Sequence, residues 1–393
     1  MRFWLPLILL IVKFFNPLGQ AVPSISSPVV TYEFGKQASF QATVIGLPTT
    51  AEVFLYIQAP GAEPAIYKMD LTNPDQASYQ LDLLANPLPL FTQISGWVQS
   101  TVEGNLVKSL STSFSIQDDR FAWQNQTSGP FQIHWVKGDL AFGQQAANTA
   151  KLALDSIQKY LTVDASQPVA IYIYPSSTDL QTALHLNLMN WVAGHANVEQ
   201  GVMLVSIPAD PEQQVEMERQ IPHELMHIYL YRQLGPAYQQ LPIWLSEGLA
   251  TAAELYPNPD YQSVLEKSAQ TGNLIPITAL CQPFPQEASG AYLAYAQSGS
   301  FVHWLRQVFG TSAITTLTSK YKDGMGCVEG FSAALGLTLI QADKRWQQQV
   351  FGIHASQVAW KNMLPLIAIG FILLVPSLLL LAARPKSKPD RAP

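Results

Sequence analysis

Between Val29 and Ile116 apolar and polar residues alternate with period two, through Phe40, Ala42 and Val44, then Val53, Leu55 and Ile57, Tyr67, Met69 and Leu71, Tyr79, Leu81 and Leu83, and later Leu110, Thr112, Phe114 and Ile116. Such alternation sends every second side chain to one face and predicts half-buried strands. Turn clusters at Leu47-Pro48-Thr49, Pro60-Gly61-Ala62 and Asn73-Pro74-Asp75 punctuate the run. The spacing predicts a small all-β sandwich of about seven strands in about 90 residues, placed over 22–117. The polar stretch from Gln117 to Pro130 then reads as a linker.

Beyond it the pattern changes. Short apolar runs predict strands at Phe131–Val136, Pro168–Tyr174 and Gly201–Ile207, with a long helical stretch Leu140–Leu161 and a helix from about Thr178 between them. Only helical segments follow. Asp210-Pro211 is an N-cap with proline at the first helical position, and Gly235-Pro236 is the stop signal for the helix begun there. Pro222 falls inside that span, where a proline is expected to kink or restart the helix. Later helices are expected from near Pro242 to before Pro257, and at Asp260–Thr271, Ala288–Phe309, Ser312–Lys322 and Leu339–Phe351. A small sheet followed by helices is an α+β domain, placed over 131–355.

The two ends predict where these domains reside. Met1-Arg2, the apolar run Phe3 to Val12 and a small-residue ending near Gly19-Gln20-Ala21 read as a signal peptide over 1–21. The segment 362–383 carries no charge and has about the ~20 residues a membrane helix needs. Arg384, Lys386, Lys388 and Arg391 follow it, an excess of basic residues that marks 384–393 as a cytoplasmic tail. The expectation is a cell-membrane protein with a single C-terminal transmembrane helix and an extracellular body. The net charge of -6 over 393 residues, with no basic cluster elsewhere, leaves no electrostatic footprint for nucleic acid. Cys281 and Cys327 are the two cysteines, and outside the cell such a pair can oxidise to a disulfide.

The candidate chemistry lies at His223-Glu224-Leu225-Met226-His227. On a helix, histidines at i and i+4 share one face, so both imidazoles can converge on one ion. Glu224 projects one residue round from the first imidazole, beside the ion's open position, where a carboxylate can take a proton from water. The next helix, Leu241-Pro-Ile-Trp-Leu-Ser-Glu-Gly-Leu-Ala-Thr251, offers Glu247 nineteen residues after His227. His223, His227 and Glu247 with a fourth position open is the arrangement of a catalytic zinc; a structural zinc would want a fourth protein ligand. Gly248 would let the two helices approach closely. The bland reading is two satisfied helix histidines.

This motif, with Glu247 in a Trp-Leu-Ser-Glu-Gly-Leu-Ala setting, resembles the gluzincin metallopeptidases, in particular the peptidase MA-like domains that share thermolysin's helix-borne site. Ile171-Tyr172-Ile173-Tyr174-Pro175, Gly201-Val202-Met203-Leu204-Val205 and Tyr295-Ala296-Gln297-Ser298 look like that family too. The N-terminal sandwich resembles an immunoglobulin or fibronectin-III module. The resemblance implies a zincin-like catalytic domain, zinc as cofactor, the two-helix ligand set, and hydrolysis of a peptide or protein substrate with Glu224 as general base.

An oxyanion donor is then needed. Tyr295 is the candidate, with Tyr292 and His303 as rivals. Thr251 and Glu254 are where groups holding the ligand imidazoles are expected. The family keeps an edge strand that pairs with extended substrate, and Gly201–Ile207 is expected to be that strand. In clan aminopeptidases it carries a glutamate for the substrate amine. Leu204 stands there instead, which favours an endopeptidase, although Glu199 is close in sequence. His195 is expected to pack in a turn rather than line the cleft. A rival reading from another class is a zinc-stabilised but inactive cell-surface binding protein. Neither a cleavage preference nor an oligomeric state is encoded legibly.

Overall fold

The computed structural model describes residues 22–73, 75–184 and 194–352, together with Ile369. The chain divides into two compact units, with the boundary between Ala122 and Trp123.

The first unit has ten strands among the described residues: β1 (Ser24–Ile25), β2 (Val29–Glu33), β3 (Gln37–Ile45), β4 (Val53–Gln58), β5 (Ala65–Lys68), β6 (Asp70–Asn73), β7 (Gln76–Asp82), β8 (Ile94–Val102), β9 (Asn105–Lys108) and β10 (Thr112–Phe114). They form two antiparallel sheets, β1-β3-β7-β6 with β2 beside β3, and β10-β8-β4-β5 with β9 beside β8. The alternating residues Phe40, Ala42, Val44, Val53, Leu55 and Ile57 are buried. Rings meet from sheet to sheet: Phe40 edge-on to Phe114 at 5.6 Å, Tyr67 stacked on Tyr79 at 4.9 Å. There are ten strands rather than about seven because several are too short to show a period. The expected strand through Tyr67, Met69 and Leu71 breaks at buried Met69. Its first half, β5, pairs with β4, and its second half, β6, pairs with β7 of the other sheet.

The second unit starts earlier than 131. Gln124–Ser128 forms strand β11, a hairpin partner of β12 (Phe131–Trp135), so part of the expected linker is an edge strand. Its sequence QNQTS carries no apolar residue, so alternation could not reveal it. The sheet runs β11-β12-β13-β15-β14, with β13 at Val169–Tyr174, β14 at Gly194–Asn197 and β15 at Val202–Ser206. β12, β13 and β15 are parallel, while the two outer strands are antiparallel to their neighbours. Helix α1 (Leu140–Ile157) connects β12 to β13 and is capped by Asp139, which accepts from the Phe142 N–H. Gly143 lets α1 lie on the sheet, since a Cβ there would stand 2.5 Å from Trp135. The short α2 (Ser177–Ala183) follows β13.

Helix α3 (Gln213–Leu234) is the core helix, buried at every position from Glu224 to Leu230. That burial all round fits an element enclosed by the sheet, α1 and α4 rather than one lying on the surface. Leu225, Ile228 and Ile221 join Ile133, Ile171, Met203 and Val205 in one apolar core. Each such side chain contributes about 1.5–3 kcal/mol on burial. A 3-10 turn at Gly235–Gln240 leads into α4 (Ile243–Ala253), α5 (Asp260–Thr271), a 3-10 turn at Ala279–Cys281, α6 (Ala288–Phe309), α7 (Thr311–Lys322), α8 (Cys327–Leu335) and α9 (Leu339–Phe351). α8 was not anticipated from the sequence; it is nine residues long and interrupted by Gly330. The unit is α+β, with its sheet N-terminal and its helices C-terminal.

Cys281 and Cys327 are joined in a disulfide, with Cα atoms 6.1 Å apart. It closes a segment with a sequence separation of 46, which in the chain-entropy picture is worth about 2–4 kcal/mol. Replacing both cysteines with serine should lower the unfolding free energy extrapolated from urea melts by that amount, with a larger m-value as the unfolded chain expands; an unaltered free energy would show the bond to be thermodynamically silent. Among the described residues no helix is long and apolar enough to cross a membrane. The expected signal peptide 1–21, membrane helix 362–383 and basic tail 384–393 lie outside the described residues.

Candidate metal centre

α3 and α4 bring His223, His227 and Glu247 together, with one ligand-type atom from each within 4.8 Å of the others. Glu247 Oε2 stands 3.5 Å from His223 Nε2 and 3.6 Å from His227 Nε2. Those separations exceed a good hydrogen bond. They are close to the roughly 3.4 Å between two donors that each sit ~2.0–2.1 Å from one tetrahedral ion. The donor set, two imidazole nitrogens and a carboxylate oxygen, suits zinc. Among the described residues no fourth His, Cys, Asp or Glu joins the group.

Each imidazole is held from behind. His223 Nδ1 lies 3.2 Å from Glu254 Oε1, and His227 Nδ1 lies 3.0 Å from the Tyr238 hydroxyl. With Nδ1–H assigned as donor to those oxygens, each Nε2 is directed at Glu247 and is the atom that would ligate a metal on giving up any proton it carries. Glu254 is thus where the sequence placed it. Thr251 is not: its hydroxyl is buried without a partner, and its methyl group packs where Gly299 leaves room. Tyr238 was missed. It sits in the 3-10 turn after α3, eleven residues from His227, a separation that no helical period connects.

Pro222 does not restart α3, which continues through it. Without an N–H it leaves the Glu218 carbonyl unserved, and the Leu255 N–H donates to that oxygen at 2.8 Å. The residue next to Glu254 is thereby tied to the histidine helix one turn before His223. In a Pro222→Ala variant the restored amide competes for Glu218, so Leu255 amide exchange should quicken roughly five- to tenfold, from the ~1 kcal/mol of one net hydrogen bond. Helix stability should not fall. Unchanged exchange would show that the proline plays no part in the tie.

Gly248 serves a different contact from the one expected. A Cβ there would stand 2.6 Å from the Ser298 carbonyl oxygen and 2.7 Å from Val302, so the glycine seats α4 on α6 rather than on α3. Tyr295 arrives on α6. Its ring is 6.0 Å from that of His223, its hydroxyl bonds the Glu247 carboxylate, and Phe284 meets it edge-on at 5.1 Å. Tyr292 is on the same helix, against Tyr261. His303 is exposed, contacts Gln307 at 2.9 Å and does not line the cleft, which removes it as a rival.

The electrostatics follow from burial and crowding. Burial alone would lower the His223 imidazole, but Glu247, Glu254 and Glu224 hold it well above the ordinary histidine range. Burial would raise the Glu247 carboxyl, yet His227 and His223 keep it far below the usual carboxylate range. Burial pushes the Glu254 carboxyl up despite His223. Burial, then the charges of Glu247 and Glu224, push the Tyr238 and Tyr295 hydroxyls up. Both phenols therefore keep their protons as donors at neutral pH.

Glu224 lines a cavity of about 320 Å³ together with His223, Tyr295 and Gly194. Gly194 opens β14, and a Cβ on it would stand 2.4 Å from Glu224 Oε1, so the carboxylate rests against the backbone of an edge strand. That corrects the expected edge. Gly201–Ile207 supplies β15, which is paired on both sides, and Leu204 is buried within it. The edge is Gly194-His195-Ala196-Asn197, in which His195 is exposed rather than packed in a turn. Glu199 is exposed in the turn that follows.

The family model described as Peptidase MA superfamily matches residues 149–352, just over half of the 393 residues. No curated protein matches the chain. Among solved structures, the cell-surface-expressed multi-modular chitinase ChiW from Paenibacillus sp. str. FPU-7 aligns at 9% identity with a TM-score of 0.23, over 66% of this chain and 25% of that one. The chain thus spans about a quarter of that enzyme's length. A likeness this low carries no argument about fold or function.

Proposed function

The chain belongs to the peptidase MA superfamily, and from that membership we propose that it is a zinc metallopeptidase whose ligands are His223, His227 and Glu247. The observation that carries the reading is the convergence of two Nε2 atoms on one Glu247 oxygen at 3.5 and 3.6 Å, with both Nδ1 atoms engaged from behind. Zinc held there would polarise a scissile carbonyl and bring the pKa of water down to ~7.

The chain's own groups supply the rest. Glu224 takes the proton of the attacking water and returns it to the leaving amine. Tyr295, kept protonated, donates to the oxygen that gains charge as the carbonyl carbon becomes tetrahedral. Among the described residues β14 pairs with β15 alone, and its other side would offer backbone N–H and C=O groups to an extended peptide, as in strand addition. No carboxylate stands on Gly194–Asn197 to hold a substrate's terminal amine, which supports an endopeptidase. We also place the catalytic unit on the outside of the cell membrane. The Cys281–Cys327 bond supports the outside location, since disulfides persist in oxidising compartments.

Digestion of casein tests the proposal. Hydrolysis should stop when the protein is stripped with a chelator and return on adding zinc. Equal digestion before and after stripping would rule the metallopeptidase reading out.

A further inference from the structure

The cavity beside His223 and Glu224 has a second wall that the proposed chemistry leaves unused, made of Arg219, Gln220, Tyr261, Ala288, Ala291 and Tyr292. Its polar groups are committed to one another. Arg219 Nη1 donates to Glu216 at 3.0 Å. Gln220 accepts from the Ser206 N–H at 3.2 Å and donates to the Ser206 carbonyl and to Glu216, both at 2.9 Å. Glu254 Oε1 faces His223 at 3.2 Å. Arg219 Nε and Glu254 Oε2 have no hydrogen-bond partner, but both atoms are sealed beneath the surface. Arg219 is already paired with Glu216 and only 24% exposed. A carboxylate entering here would therefore give up water to compete with an ion pair that exists, and an ammonium would meet that cation.

Most of the surface this wall presents is carbon. The Tyr261 and Tyr292 rings stand 4.8 Å apart at 58°, and two rings set at an angle offer a face and an edge to a third. The same lining includes two methyl groups one helical turn apart on α6, Ala288 and Ala291. Ala291 is 2% exposed, and Ala288 lies on the exposed rim. Residues three apart share a helix face, so a larger side chain at either position would fill the same space.

We propose that this cavity is the side-chain specificity pocket of the peptidase site, that it admits a bulky uncharged side chain, aromatic foremost, at a residue flanking the scissile bond, and that Ala291 sets its depth. The assignment rests on the metallopeptidase reading above and adds the substrate class to it.

The test uses the full chain loaded with zinc and one quenched peptide sequence carrying Phe, Leu, Ala, Glu or Lys at either flanking position. At one of the two positions kcat/KM for Phe should exceed that for Ala by about tenfold or more, and exceed Glu and Lys further, as expected of an apolar pocket. Ala291→Leu should cut the Phe-to-Ala ratio by about tenfold. Ala288→Leu, on the exposed rim, should shift it the same way and serves if the buried substitution prevents folding. Glu or Lys peptides cleaved as fast as Phe, or a ratio unmoved in both variants, would overturn the pocket assignment alone. A folded, zinc-loaded chain that cleaves none of the peptides would overturn the peptidase reading and this assignment together.

Discussion

Glu224→Gln should lower kcat by about 10²–10⁴-fold, the contribution of a positioned general base, while the protein still binds one zinc per chain. The substitution keeps the size and hydrogen-bonding shape of the side chain and removes only its ability to accept a proton as an anion. Glu224 is 9% exposed and lies against Gly194, where no side chain intervenes. The amide should therefore occupy the same place without disturbing α3. Turnover of casein together with zinc content separates the two effects. A variant that keeps both its zinc and its activity would remove Glu224 from the chemistry. Zinc binding with no turnover in either protein would favour the zinc-stabilised binding protein that the sequence also allows.

Glu247→Ala should abolish both the metal and the activity. Losing a partner behind a ligand, such as Glu254 or Tyr238, typically costs 10–100-fold in metal affinity; losing the ligand itself should cost more. Glu247 is also the anion nearest both imidazoles, at 3.5 and 3.6 Å, so without it the two histidines face each other with no shared counter-charge. Zinc binds the folded wild type and should raise its melting temperature, since a ligand specific for the folded state stabilises it by mass action. The alanine variant should melt at the same temperature with and without zinc. Thermal melts at several zinc concentrations check this, and a zinc-dependent rise in the variant equal to that of the wild type would place the ion elsewhere.

The parts of the fold legible in sequence were those with a strong local period or a sharp stop. Helices α5, α6 and α9 lie where amphipathic spacing put them, and Gly235-Pro236 marks the end of α3. The losses have physical causes. QNQTS at β11 is polar along its whole length, so nothing in it announces a strand. Met69 keeps the alternating pattern while the chain crosses from one sheet to the other, and pattern carries no information about which partner a strand pairs with. Pro222 was read through its missing donor, whereas the outcome turned on the acceptor it freed, which Leu255 takes from a different helix end.

The candidate site divides the same way. The His223, His227 and Glu247 grouping follows from helical spacing plus one residue on the next helix, and the structure brings the three together. The groups around them are set by long-range packing. Tyr238 reaches His227 from a 3-10 turn, Gly194 meets Glu224 through sheet pairing, and Gly248 turned out to seat α4 on α6. Even the edge strand was assigned by resemblance, to Gly201–Ile207, whereas that strand is paired on both sides and β14, a weaker apolar run, lies outside it.

X-ray absorption at the zinc edge, recorded on the zinc-loaded chain, tests the central claim most directly. The account predicts a four-coordinate shell of nitrogen and oxygen at ~2.0–2.2 Å with two imidazoles and no sulfur, and loss of that spectrum in Glu247→Ala. A sulfur at ~2.3 Å, or the same two-imidazole shell persisting in the alanine variant, would contradict it.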